Sequence, residues 1–281
     1  MSKTVASTLT ALVTGASAWM KPYRRAITRA LVAEGLVQEV AVKTAAGPLR
    51  FQAPTARALH DPWRLYENEP ETIRWLDGLP ADEVLWDIGA NIGVYALYAA
   101  KARGMRVLAF EPSAATYAVL VRNVELNGLD ERVDAYCLAF DETNRLDHLY
   151  MANTEAGHSM HAFGQTRTVQ GEMKAVFRQA VPGFSVDAFR RTFGPPPPDH
   201  VKLDVDSIEL RILKGARQTL RAHVKTVLVE IDGSTRESGG GGIRELLDGL
   251  GFVEDTAFAA GDATRNVLFR KAAAGSTLGG R

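Results

Sequence analysis

Between residues 84 and 271, short apolar runs alternate with stretches whose apolar positions recur every three or four residues. Val84-Leu85-Trp86-Asp87-Ile88 is almost continuously apolar, the pattern of a strand covered on both faces of a parallel sheet. After a Gly-containing turn, Val94 to Ala102 reads as a helix. Residues 106–111 form the next strand and end on Glu111 ahead of Pro112. Tyr117, Leu120, Val121 and Val124 then share a helical face, and Asn127-Gly128 stops that helix. A third strand is expected over 133–140. The rhythm lapses beyond it: 141–198 reads as an insertion or lid, with short strands around Leu149 and Val169. Pro195 to Pro198 cannot be helix interior or central strand and make a stiff lead-in to a fourth strand at 201–205. A helix over 209–220, a fifth strand at 226–231, a flexible loop at Gly239–Gly242, a helix at 243–250 and two late strands near 252–258 and 266–271 complete the pattern.

Alternation of this kind predicts an α/β fold, a mostly parallel sheet with helices on both faces. The two late strands have no full helix between them and are expected to pair as an antiparallel edge hairpin. Residues 1–50 are expected to be a basic N-terminal extension, 51–275 the main domain and 276–281 a disordered tail.

Composition narrows the partners. The 281 residues carry 33 basic and 33 acidic side chains, a zero balance unlike that of a protein held to nucleic acid phosphates. Cys137 is the single cysteine, so there is no intrachain disulfide, and a reducing, cytoplasmic setting is expected. No apolar run approaches the roughly 18–20 residues of a membrane span. The first 33 residues hold Lys3, Lys21, Arg24, Arg25 and Arg29 and no acid before Glu34. A basic helix, or a pair of them, packed on the main domain is the first reading. A contact with a membrane surface or a partner is the second.

Asp87-Ile-Gly89-Ala-Asn91-Ile-Gly93 falls where the first strand ends and its helix begins, the place where open α/β sheets bind ligands. Glycine there permits a tight turn and close approach of a ligand. Glu111, at the end of the next strand, can accept the two hydroxyl protons of a ribose. A dinucleotide fingerprint needs GxGxxG, and here a side chain stands where the middle glycine admits the pyrophosphate. Asp87 would also repel a pyrophosphate but attract an ammonium group. S-adenosylmethionine has an ammonium and a ribose and no phosphate, so the charge pattern selects it over NAD.

The strings VLWDIGANIG (84–93), LAFEPSAATYAVLVRNVELN (108–127), VKLDVDSIELRILKG (201–215) and VLVEI (227–231) resemble the FkbM-type methyltransferase family. The resemblance covers about Tyr66 to Lys271. It implies a Rossmann-like class I methyltransferase fold, a seven-stranded, mostly parallel sheet with an antiparallel edge hairpin. It also implies O-methylation of sugars, polyketides or other secondary metabolites with S-adenosylmethionine. By the same resemblance Asp87, Gly89, Asn91 and Gly93 would line the methionine and ribose side, and Glu111 would hold the ribose hydroxyls. Ser113 would lie near the adenine edge and Asp141 near the adenine amino group. Asp204 and Asp206 would stand at the front of the site. Ser207 departs from the family, where glycine is usual after the acid pair.

Methyl transfer from a sulfonium is an in-line displacement, and an alcohol acceptor gains roughly 10²–10⁴ from a general base. The strand-end acids Asp204, Asp206 and Glu230 are the candidates, with His158 and His161 in a lid as alternatives near neutral pH. The three acids would instead hold Mg²⁺ in a second, less favoured reading. Lys202 would pair with one of the carboxylates. Trp63, Tyr66 and Trp75 are expected in the core or as staple residues, and Cys137 as a buried filler. The acceptor is expected to be a small hydroxylated molecule. The rivals are an N-methyltransferase acting on an amine, a non-catalytic nucleoside-binding or assembly protein, and a dinucleotide oxidoreductase.

Overall fold

The computed structural model describes residues 2–168, 171–206, 208–231, 240–258 and 264–272. Val169, Ser207, Gly239 and the tail at 276–281 lie outside them. Two compact units are present, one ending at Glu39 and the other beginning at Val40. The first holds helices α1 (Ser2–Ala16) and α2 (Pro22–Gly35). No helix among the described residues is long and apolar enough to cross a membrane.

The second unit starts earlier than the expected boundary at residue 51. Strands β1 (Gln38–Thr44) and β2 (Gly47–Ala53) form a hairpin, and alternate β2 residues Leu49, Phe51 and Ala53 are buried. Side chains of the helix over 114–127 complete its backbone: Asn127 Oδ1 accepts the Arg50 N–H at 2.9 Å and Asn123 Oδ1 that of Gln52 at 2.7 Å. These pairings span more than 70 positions, which no local pattern reveals.

Helices α3 (Ala56–Trp63), α4 (Leu65–Asn68) and α5 (Pro70–Asp77) follow. Thr55 caps α3, its Oγ1 accepting the Ala58 N–H at 3.0 Å. Then come β3 (Val84–Ile88), α6 (Val94–Arg103), β4 (Arg106–Phe110), α7 (Ala114–Asn127) and β5 (Val133–Tyr136). The segment after β5 carries β6 (Ala139–Phe140), β7 (Arg145–Met151), β8 (His161–Phe163), the short pair β9 (Arg167–Thr168) and β10 (Gly171–Glu172), and β11 (Phe177–Phe184). After α8 (Val186–Phe193) come β12 (His200–Leu203), α9 (Glu209–Lys214), α10 (Arg217–Ala222), β13 (Thr226–Glu230), α11 (Gly240–Gly249), β14 (Phe252–Glu254) and β15 (Asn266–Lys271).

The main sheet has seven strands in the order β14-β15-β13-β12-β3-β4-β5. All neighbours are parallel except β15, antiparallel to both β13 and β14. Alternate residues of each strand feed two cores: Trp86, Ile88, Leu108 and Phe110 enter one, and Leu85, Val107 and Ala109 the other. An aromatic cluster holds the first, Phe110 lying 5.1 Å from Trp86 and 4.7 Å from Phe140 between ring centroids. The chain leaves β3 toward β4 and returns on the other side through β12. The crevice past the C-terminal end of β3 is therefore the topological switch point.

Four details differ from the sequence pattern. The third strand is broken: Ala139 and Phe140 pair in parallel with β11, in a separate four-stranded sheet ordered β6-β11-β7-β8. The 141–198 segment thus builds its own sheet, its strands aligned by antiparallel pairing of β11 with β7 over Phe177–Gly183. The helix over 209–220 is two helices that meet at Gly215 and Ala216, and Gly215 sits against the Asp141 carbonyl, where an added Cβ would come within 2.4 Å. Trp63 is 72% exposed and Cys137 only half-buried, whereas Trp75 is buried, its Nε1 donating to Thr226 Oγ1 at 3.2 Å.

Candidate functional site

The turn after β3 is shaped by three left-handed residues, Gly89 at φ +88°, Asn91 at φ +50° and Gly93 at φ +89°. Gly89 is required twice over. Its φ is costly for other residues, and a Cβ there would stand 1.8 Å from the Asp204 carbonyl oxygen. The turn is thereby pressed against the end of β12. At Gly93 a Cβ would meet Leu120 Cδ1 at 2.4 Å, so that glycine sets how closely α6 approaches α7.

Glu111 is gripped by the backbone. Its Oε2 accepts the Asn91 N–H at 3.0 Å and its Oε1 the Ser113 N–H at 2.8 Å. Each oxygen keeps a lone pair, and the residue lines the cavity at the switch point. Burial pushes its carboxyl up to about 7, against those two hydrogen bonds. Asp87 is 1% exposed, and its Oδ1 has no hydrogen-bond partner among the described residues. Burial raises this carboxyl to about 6, opposed chiefly by the Lys202 ammonium. A buried carboxylate oxygen without a partner is costly and is satisfied by a donor or cation from elsewhere.

The cavity measures about 270 Å³ and opens over the tips of β3, β4, β12 and β13. On the β12 side Lys202 is buried, its Nζ donating to Asp204 Oδ2 at 2.9 Å and lying 4.9 Å from the Tyr95 ring centroid. Burial would lower the Lys202 ammonium, but Asp204, Glu69 and Asp87 hold it well above its usual range. Asp204 keeps 30% of its side-chain surface exposed. Burial pushes its carboxyl up, yet Lys202, together with a hydrogen bond from Glu230, holds it below the usual range. Glu230 is raised to about 8, first by burial and next by Asp204, while Arg265 pairs with it at 3.0 Å. Charge coupling thus drives the two carboxyls apart, Asp204 toward the ionised form and Glu230 toward the protonated one.

The opposite wall comes from the 141–198 segment. His158, Ser159, His161 and Phe163 line the cavity. The His158 Nδ1 lies 2.8 Å from the Ser159 carbonyl, which can only accept, so this nitrogen donates and Nε2 is the lone-pair nitrogen of the neutral ring. His161 is lowered to about 4, by burial and then by His158. Asp206, in the left-handed region at φ +59°, accepts the Met160 N–H on Oδ2 at 2.6 Å. Its carboxyl is raised by burial and by Asp204. Asp206 is thus a clamp on the histidine loop.

Of the expected site residues, Asp87, Gly89, Asn91, Glu111, His158, His161, Asp204, Asp206 and Glu230 line this one cavity. Gly93 and Ser113 stand behind it. Asp141 does not line it either: Arg145 at 2.9 Å and Arg211 at 2.5 Å close on its buried carboxylate, which links the β6–β7 connection to α9. The sequence pattern did not reveal Glu69, Tyr95, Arg57 or Arg265 as lining residues. Tyr95 was detectable as the second residue of the helix after the Gly turn. Glu69 precedes Pro70 at a helix start, a signal of a helix boundary and not of a ligand site. Among the described residues no group of three His, Cys, Asp or Glu has the arrangement of a metal site.

A seven-stranded sheet in this order, with an antiparallel edge and acid-tipped strands beside a Gly turn, defines the Rossmann-like methyltransferase fold. The chain belongs to the FkbM methyltransferase family, whose Methyltransferase FkbM domain matches residues 87–254. It is 30% identical over 215 residues to methyltransferase sdnD of Sordaria araneosa, covering 67% of this chain and 77% of that protein. It is 29% identical over 181 residues to the hexuronic acid methyltransferase AglP of Haloferax volcanii, covering 63% of this chain and 69% of that one. The crystal structure of Methyltransferase FkbM from Methylobacillus flagellatus KT superposes with a TM-score of 0.44 at 16% identity, covering 68% of this chain and 44% of that chain. The protein is a methyltransferase.

Proposed function

We propose that the cavity binds S-adenosylmethionine and that the protein methylates a hydroxyl of a saccharide or other small metabolite. The observation that carries this reading is the pairing of the partnerless Asp87 Oδ1 with the backbone-anchored Glu111 across the Gly89 turn. That donor set suits a ligand offering an ammonium and two hydroxyls and opposes a pyrophosphate. Asp87, Gly89 and Asn91 would hold the methionine and ribose side, and Glu111 the ribose diol. When bound, S-adenosylmethionine supplies a methyl group already activated on a sulfonium.

The chain then has to orient an acceptor and receive its proton. Asp204 and Glu230 share one proton below pH about 8, and the fully ionised pair takes the acceptor proton above it. Lys202 and Arg265 balance that second negative charge. A base of this kind serves a hydroxyl and is unnecessary for a neutral amine, which favours O-methylation. The similarity to AglP, a hexuronic acid methyltransferase, supports a sugar acceptor. The acids at the mouth, Glu69, Asp204 and Glu230, would also attract an ammonium, so N-methylation is the second reading. Asp204, Asp206 and Glu230 are engaged by Lys202, the Met160 N–H and Arg265 respectively, which supports a metal-free route.

Calorimetry with S-adenosylhomocysteine and with NAD tests the cofactor. Binding of S-adenosylhomocysteine alone is expected, and binding of NAD alone overturns the assignment. A screen of sugars, other polyols and amines with labelled methyl donor, with and without a chelator, decides the acceptor and the metal.

A further inference from the structure

Residues 2–35 form a helix pair whose polar and apolar faces are inverted. In α1, Val5, Leu9 and Leu12 recur at helical spacing and keep 54%, 57% and 63% of their surface exposed. In α2, Tyr23, Ile27 and Leu31 do the same, at 78%, 44% and 62%. Trp19, in the connection between the helices, is 82% exposed. The polar face of α2 is the one turned toward α1. Arg29 Nε donates to Ser17 Oγ at 2.9 Å and its guanidinium to the Thr14 carbonyl at 3.0 Å, while Arg25 reaches the Ala18 carbonyl at 3.5 Å. No α2 residue is buried. A helix pair in water ordinarily turns its apolar stripes inward. Here each stripe faces out, with two aromatic side chains of the interfacial type, Trp19 and Tyr23, beside the connection.

Charge identifies the occupant. Lys3, Lys21, Arg24, Arg25 and Arg29 lie within the first 33 residues, which contain no acid. A protein groove would be served by the apolar stripe alone, whereas an anionic lipid surface takes both the stripe and a uniformly basic segment. At 15 and 14 residues the helices fall short of the roughly 20 needed to span a bilayer, so they would lie along its surface.

We propose that α1 and α2 dock the protein on an anionic lipid surface, lying in the interface plane with Val5, Leu9, Leu12, Ile27 and Leu31 inserted. The apolar stripe supplies insertion and the basic residues supply lipid selectivity.

The test is co-sedimentation of the full chain with vesicles of phosphatidylcholine and phosphatidylglycerol, against phosphatidylcholine alone. The chain is expected to pellet with the mixed vesicles only, and less at high salt. Lys21→Gln and Arg24→Gln should each weaken binding about fivefold. The double substitution Leu9→Glu/Leu31→Glu should abolish it, with circular dichroism and the thermal midpoint unchanged. Failure of the intact chain to pellet with anionic vesicles overturns the proposal, as does equal pelleting of the charge-inserted variant. A dimer in sedimentation equilibrium that the same double substitution dissolves, with no vesicle binding, assigns the stripes to a second copy instead.

Discussion

Single atoms carry the chemistry of this site. Glu111 uses one lone pair of each oxygen on a backbone N–H and lines the cavity with the rest, so its removal loosens the turn and, on the proposed reading, deletes the diol acceptor. Glu111→Ala is expected to weaken S-adenosylhomocysteine binding about 10- to 100-fold by calorimetry; unchanged affinity would remove its ribose role. In the proposed Asp204–Glu230 base, Glu230 is raised to about 8, first by burial and next by Asp204. The proton-accepting form therefore grows as pH rises, and turnover should climb toward a plateau above pH about 8. Asp204→Asn should cost about 10²–10⁴ in kcat and leave S-adenosylhomocysteine affinity intact. A flat pH–rate profile from pH about 6 to 9 would show that the pair is not the base. Asp87, Glu111, Asp204 and Glu230 were legible from sequence because each stands at a strand end in an apolar run. Asp141 has the same local appearance, and only the two arginines that close on it from β7 and α9 separate it from the others.

Elements hold these atoms through contacts between distant segments. Asp187, in α8, accepts the N–H groups of Gln218 and Thr219 at 2.9 and 2.8 Å and the Thr219 hydroxyl at 2.7 Å, so one helix caps the start of another. Asp187→Ala should lower the unfolding free energy by about 1–2 kcal/mol in urea titrations. An unchanged midpoint would mean that water replaces the cap. Asp206 acts similarly on the histidine loop through the Met160 N–H. Asp206→Asn should raise KM for the acceptor by loosening this loop, read from initial rates at saturating S-adenosylmethionine. Strand positions in the main sheet were legible from period alone. The second sheet was not, because β6 has two residues, and its partner β11 lies some 40 positions away and carries Pro182 and Gly183.

Across the whole second unit, buried acids make stability depend on pH. Asp87 and Glu111 have folded values of about 6 and 7, above their ordinary range near 4. The folded state thus binds more protons than the unfolded chain in that interval, and stability contributed by these groups falls as pH rises from about 4 to about 7. Urea unfolding of the ligand-free protein should show a loss on the order of a few kcal/mol across that window, reduced by somewhat less than half in Asp87→Asn, because Glu111 carries the larger shift. S-adenosylmethionine should stabilise the protein more at the upper end of the window, where Asp87 is ionised, than at the lower.

Sequence alone determined the α/β alternation, the tight Gly-containing turn between Asp87 and Gly93, the acids at the strand tips and the acid-free basic segment before Glu34. Each is a property of neighbouring residues: period, glycine placement or local charge. Tertiary structure alone decided that residues 40–50 belong with the second unit, that two arginines close on Asp141, and that Asp204 and Glu230 are coupled. It also decided that α1 and α2 turn their apolar faces outward. Burial and charge coupling are set by whatever packs against a side chain, and part of that packing comes from far along the chain, as Arg211 does to Asp141 and Glu230 to Asp204.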